Sequence, residues 1–108
     1  NNLIHSAAHI TGGGLVDNLT RSIPKHFCLN LDLAKVKIKK IFKWIKSNNI
    51  TDSEMLKTFN CSIGFCLITK KTNVSKIKKY FSKEFMPYEI GFISKNKNKI
   101  NIYNKIKW

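Results

Sequence analysis

The sequence predicts an α+β domain in which a mixed or antiparallel sheet is layered with helices. Three observations lead there. Strand-like and helix-like stretches follow one another in the order β-α-β-α-α-β-α-β-β, with no internal repeat. Several strand candidates keep polar residues on one face, which suits an antiparallel or mixed sheet better than a doubly wound parallel one. The last two strand candidates are separated only by a short polar stretch, the pattern of a closing hairpin. The 108 residues suffice for one domain or part of one, and an apolar content of 43% is enough for a core.

The elements follow in order. Residues 3–10 are mostly apolar or small and read as a short strand running into Thr11-Gly12-Gly13-Gly14. Leu15, Val16, Leu19 and Ile23 then recur at helical spacing until Pro24 stops the helix. Phe27, Leu29, Leu31 and Leu33 alternate with Cys28, Asn30 and Asp32, which predicts a half-buried strand with one apolar face. Ile38, Ile41, Phe42 and Ile45 fall at i, i+3, i+4 and i+7, with Lys39, Lys40, Lys43 and Lys46 opposite. That is an amphipathic helix with a solvated cationic face, Lys43 included, and with Trp44 packed at a seam on its flank. Thr51 followed by Glu54 forms a capping box for a helix over 52–58. The unbroken apolar run over 62–69 predicts a strand covered on both faces. Val74, Ile77 and Phe81 mark a further helix; a strand is expected over 87–93, a polar turn over 94–98, and a last edge strand around Ile100 and Ile102.

The charge is lopsided. Lys and Arg total 20 against 6 Asp and Glu, a net +14, and every basic residue except Arg21 is lysine. Nucleic-acid readers usually draw on Arg, whose planar fork meets phosphate and guanine bidentately. Here Lys is spread over every helix and the tail, and no basic-aromatic interleaving of the RNA-recognition type is visible. Lys, Asn and Ile are abundant together, as an A/T-rich coding sequence favours, so compositional drift is the leading account of the charge, and a nucleic-acid partner is not expected. No apolar run reaches membrane-spanning length, and the start lacks the basic-then-apolar order of a signal peptide. A cytoplasmic protein without a membrane partner is expected, and the missing initiator Met predicts a piece of a longer chain. Cys28, Cys61 and Cys66 are too few and too scattered for a disulfide framework or a zinc site, and are expected to pack as small apolar side chains.

Chemistry concentrates in one stretch: His9-Ile10-Thr11-Gly12-Gly13-Gly14-Leu15, followed by Asp17-Asn18-Leu19 and Arg21. A glycine turn entering a helix aims several backbone N–H groups at one place, and the lack of Cβ atoms lets a phosphate approach. Thr11 can add a hydroxyl and Arg21 a fixed charge. The other reading is a plain tight turn that needs positive φ. The stretch is neither a Walker A loop nor a dinucleotide fingerprint. His9 is a candidate acid/base or phosphate ligand, or else a packed histidine at a strand end; His5 reads as structural. Asn18 and Arg21 either reach the site or cap and decorate the helix. Asn60, at a helix-to-strand junction, and Gly64, inside an apolar run, are further candidates, because a strand glycine marks close approach of backbone or ligand.

These residues carry a family resemblance. Ile4-His5-Ser6-Ala7-Ala8-His9-Ile10-Thr11-Gly12-Gly13-Gly14-Leu15, then Asn18-Leu19, Arg21 and Pro24, resembles the C-terminal domain of the AIR synthetase family (phosphoribosylformylglycinamidine cyclo-ligase, PurM). The resemblance continues through Ile41-Phe42-Lys43-Trp44-Ile45, Glu54-Met55, Thr58-Phe59-Asn60, Ile63-Gly64 and Tyr88-Glu89-Ile90-Gly91, in register and in order. Ser62 stands where the family usually has Gly, Phe65 where it usually has Met, and the usual prolines before Ile41 are missing.

The resemblance implies an α+β sheet layered with helices, covering most of such a domain in residues 1–108. It also implies that an N-terminal domain and the start of this one are absent, so that the piece is inactive alone. The implied reaction is ATP-dependent ring closure of formylglycinamidine ribonucleotide to aminoimidazole ribonucleotide in de novo purine biosynthesis, by a homodimer in the full-length protein. His9 and Asn60 are the implied catalytic or substrate-orienting residues; Thr11, Gly12, Gly13, Gly14, Asn18 and Arg21 are the implied phosphate and substrate contacts. Mg²⁺ is expected with ATP, its ligands coming from the missing N-terminal domain. The rival readings are a relative in the same superfamily (selenophosphate synthase, thiamine-phosphate kinase or formylglycinamidine ribonucleotide synthase) and, more distantly, a basic nucleic-acid-binding module.

Overall fold

The structure, a computed structural model, describes residues 3–11, 13–95 and 100–108. The elements are β1 (Ser6–His9), α1 (Gly14–Arg21), β2 (Phe27–Asp32), α2 (Lys40–Lys46), α3 (Asp52–Thr58), β3 (Phe65–Ile68), α4 (Val74–Lys78), β4 (Gly91–Lys95) and β5 (Ile100–Tyr103). This is the expected α+β order, with three short 3-10 turns between elements. Among the described residues no helix is long and apolar enough to cross a membrane.

The strands form two sheets. β1 and β3 pair antiparallel, and β2 lies between β4, antiparallel to it, and β5, parallel to it. The expected closing hairpin is therefore wrong. β4 and β5 do run in opposite directions, but β2 sits between them and takes the hydrogen bonds of both. The polar stretch expected as a turn begins inside β4 with Ser94 and Lys95; the rest of it lies outside the described residues. β4 also starts later than expected, at Gly91 rather than near Pro87. Gly91 lets the two backbones close up, because a Cβ there would lie 2.1 Å from the Asn30 carbonyl oxygen.

The central place of β2 corrects a second expectation. Its Cys28–Asn30 side was expected to face water, yet Cys28 is fully buried and Asn30 is 4% exposed. A buried amide is tolerated only when hydrogen-bonded. Asn30 Nδ2 donates to Ser94 Oγ at 2.8 Å and to the Phe92 carbonyl at 3.3 Å, and Asn30 Oδ1 accepts from Asn101 Nδ2 at 3.2 Å. The Asn side chains thus stitch all three strands together.

The opposite face of β2, with Leu29 and Leu31, packs into the core with Ala8, Leu15, Leu19, Met55, Cys66 and Ile106. Each fully buried Leu or Met contributes on the order of 2 kcal/mol. β3 is less covered than its apolar sequence suggests: β1 is its sole partner in the described sheets, and Phe65 is 61% exposed. The stripe on α2 is also narrower than expected. Phe42 and Ile45 pack against the core while Ile41 and Trp44 are exposed, so Trp44 does not sit in a seam. A two-turn helix at the rim can turn only a thin strip inward. At α3, Thr51 Oγ1 accepts from the Glu54 N–H at 3.2 Å, as the capping box requires. The Glu54 carboxylate instead accepts from Thr58 Oγ1 at 2.8 Å, so the box is half closed. α4 ends at Lys78, short of Phe81, and is anchored by buried Ile77.

Candidate functional site

β1 delivers His9 to the mouth of the glycine loop. Immediately after it, the Ile10 N–H donates to the Gly64 carbonyl at 2.9 Å, which places the loop beside the turn that precedes β3. The Gly14 N–H donates to the Thr11 carbonyl at 3.1 Å, closing a tight turn at the head of α1. Gly12, an expected phosphate contact, lies outside the described residues. Gly13 and Gly14 both take positive φ, 95° and 79°. L side chains resist that region, so glycine is required at both positions.

The two glycines differ in their surroundings. A Cβ on Gly14 would lie 1.7 Å from the Leu56 carbonyl oxygen, so Gly14 is where α1 and α3 meet backbone to backbone. Its N–H is already engaged within the turn. Gly13 is the N-cap of α1, and no side chain caps the helix there. The atoms nearest a Cβ on Gly13 would be Asp17 Oδ2 at 3.6 Å, Asp17 Cβ at 3.7 Å and Arg21 Nη2 at 3.8 Å, all at ordinary contact distance. Arg21, exposed and the last residue of α1, about two turns on, reaches back along the helix to bring its guanidinium beside Gly13, with the Asp17 carboxylate between them in sequence and nearer still. Thr11 is exposed at the same place.

Asn18 is turned the other way. It is 9% exposed, and its Nδ2 donates to the Gly14 carbonyl at 2.6 Å and to that of Thr11 at 3.4 Å, fastening the loop to the helix. Asn60 is likewise engaged locally. Its Oδ1 accepts from the Ser62 N–H at 3.0 Å, and its carbonyl from the Ile63 N–H at 3.0 Å. Cys61 and Ser62, the central residues of this turn, have φ of 50° and 76°. The structure thus gathers Thr11, Gly13 and Arg21 at one opening and uses Asn18 and Asn60 to shape the backbone around it.

His9 is exposed, and its ring stacks on Phe65, its cross-strand partner, at 5.7 Å and 23°. Nothing lies within 4 Å of where a Gly64 Cβ would be, so the space beside that glycine is open. Phe65, not among the residues singled out from the sequence, joins this place through its pairing with His9, which no local sequence signal could reveal. His5 is exposed and joins the sheet through its main chain, donating from N–H to the Ile68 carbonyl at 2.7 Å.

The thiols are not poised for nucleophilic work. Cys28, Cys61 and Cys66 are buried and free, as small packed side chains should be. Burial pushes Cys61 up to about 11, with a smaller push from the Asp52 charge, and burial alone pushes Cys66 up to about 11. Asp32, whose carboxyl is held below its ordinary value chiefly by a hydrogen bond from Asn104, belongs to β2 and not to this opening. Among the described residues no group of three or more His, Cys, Asp or Glu could hold a metal ion.

The model of the AIR synthase related protein, C-terminal domain, matches residues 1–103. The chain belongs to this family. The chain is also similar to segments of two curated purine biosynthetic proteins. The chain is 39% identical over 75 residues to the trifunctional purine biosynthetic protein adenosine-3 of Chironomus tentans, which covers 68% of this chain and 6% of that protein. It is 40% identical over 76 residues to the bifunctional purine biosynthetic protein ADE5,7 of Saccharomyces cerevisiae, covering 69% of this chain and 10% of that protein. The chain thus spans a tenth or less of the relatives it matches. As an AIR synthase C-terminal domain it has the fold its sequence led one to expect: α+β, with mixed and antiparallel sheets and helices packed on them.

Proposed function

We propose that this chain forms the phosphate-holding part of an ATP-dependent cyclo-ligase that closes formylglycinamidine ribonucleotide to aminoimidazole ribonucleotide in purine biosynthesis. Family membership over residues 1–103 supports the reaction class. The observation that carries the site is Gly13: a left-handed N-cap without a Cβ at the positive end of α1, with the Arg21 guanidinium beside it to offset the neighbouring Asp17 carboxylate.

In the proposed reaction the formyl amide oxygen attacks the γ-phosphorus of ATP and ADP leaves. The amidine nitrogen then attacks the activated carbon, and inorganic phosphate departs as the ring closes. Both steps need anionic groups held close, in line and charge-neutralised. Thr11 offers a hydroxyl, the Gly13 turn offers main chain without a Cβ, and Arg21 offers a planar cationic fork of N–H donors. Asn18 and Asn60 act through the backbone they hold, and His9 faces the ligand from the end of β1. Of the ligands in this proposal, ATP, Mg²⁺ and the rest of the active site are met by the N-terminal domain of the family, in a cytoplasmic homodimer. Arg21→Ala in the full-length protein tests the reading with little risk to folding, since Arg21 is exposed. KM for the phosphorylated substrates should rise, or kcat fall, about tenfold or more for a lost charged hydrogen bond. Gly13→Val should do the same. Unchanged turnover and affinity in both variants would overturn it.

A further inference from the structure

His9 and Phe65 face each other across the β1–β3 ladder, so both side chains leave the same face of that sheet. Their rings lie nearly parallel, at 23°, yet Phe65 keeps 61% of its surface in water and His9 is exposed too. A large aromatic ring held flat and left open is a poor use of apolar surface for folding alone. Its surroundings supply a reason. Gly64, next to Phe65, has nothing within 4 Å of its missing Cβ, and its carbonyl is hydrogen-bonded to Ile10 at the root of the glycine loop. His9 precedes Thr11 by two residues, about 7 Å of extended chain. The ring pair, the open space and the loop therefore share one end of one sheet.

We propose that the His9–Phe65 pair is a stacking shelf for the flat, nitrogen-rich ring of a ribose phosphate whose phosphoryl group lies at the Gly13 loop. The inference rests on the phosphate reading given above and names the ligand class that the site takes: a planar heteroaromatic ring carried on a sugar phosphate. The free area of Phe65 supplies dispersion and quadrupole attraction to such a ring. Phe65 is 61% exposed, so such a ring can lie against it without displacing protein atoms. Two ligands share this chemistry, an adenine nucleotide and aminoimidazole ribonucleotide.

Titration calorimetry on the full-length protein tests the shelf with three probes: ribose 5-phosphate, aminoimidazole ribonucleotide and ADP. Stacking of a base on an aromatic side chain corresponds to roughly tenfold in affinity. Phe65→Leu should therefore weaken one ring-bearing probe about tenfold, while Phe65→Tyr keeps it and ribose 5-phosphate is unaffected by either change. The probe that responds identifies the occupant. If a ring-bearing probe responds but ribose 5-phosphate does not bind at all, the shelf stands and the phosphate reading fails. Three results overturn the shelf: both ring-bearing probes binding Phe65→Leu as tightly as the parent, neither binding the folded parent, or Phe65→Leu weakening ribose 5-phosphate equally.

Discussion

At the residue scale, the adjacent glycines of the loop separate two effects that a glycine run confounds in sequence. Gly13→Ala should cost about 1 kcal/mol, the price of a left-handed backbone for an L residue. Gly14→Ala adds a collision with the Leu56 carbonyl and should cost at least about 2 kcal/mol more than Gly13→Ala. Urea unfolding of the two variants measures the difference; equal costs would deny the close approach of α1 to α3. That a turn sits at 11–14 was legible in the sequence. Which glycine has room around it and which is locked was not, because the deciding atom belongs to Leu56, far along the chain. The left-handed Ser62 gives a physical reason for the glycine the family usually has there. The thiols give a pH prediction. Their folded values of about 11 exceed the ordinary 9.0, so the native state keeps protons that the unfolded chain releases. The stability they contribute is complete below pH 9 and is lost as pH rises toward 11. Denaturant melts should show a shallower alkaline decline across this window when Cys61 and Cys66 are both replaced by Ala.

At the element scale, the centre of the three-stranded sheet is polar, and it is satisfied by the partners of Asn30. Asn101→Ala removes the donor to Asn30 Oδ1, and the loss should be about 1–3 kcal/mol for a buried acceptor left unpaired. Amide exchange in β5 should quicken with it, while β1 and β3 stay protected; uniform loss across both sheets would argue against a local role. The spacing of apolar residues revealed nearly every element, since periods of 2 and 3.6 are local properties of the chain. The strand partners were not revealed, because pairing is a long-range choice. The alternation in Phe27–Asp32 implied a wet face only because it could not show that Asn101 and Ser94 arrive to meet Asn30. In the same way, the stripe on α2 promised burial for Ile41 that a rim position does not provide.

At the scale of the whole molecule, charge and closure dominate. With a net charge of +14 and a single ion pair among the described residues, Lys46 with Asp52 at 3.4 Å, self-repulsion opposes the compact state. Raising salt from about 10 to 150 mM shortens the screening length from about 30 to 8 Å and should raise Tm. A Tm that falls with added sodium chloride would mean that attractive pairs outweigh the repulsion. The final residues matter more than their polar composition suggested. Ile106 enters the core, and the Trp108 indole N–H donates to Asp52 Oδ1 at 2.9 Å while Lys46 Nζ lies 5.8 Å from its ring centre. The parallel partner of β2 therefore comes from the far side of the chain. On the ribosome, Phe27–Asp32 emerges some seventy residues before Ile100–Tyr103. Until Gly91–Lys95 follows, both margins of the strand are bare, and a stalled nascent polypeptide would offer them to chaperones or to its neighbours on the polysome.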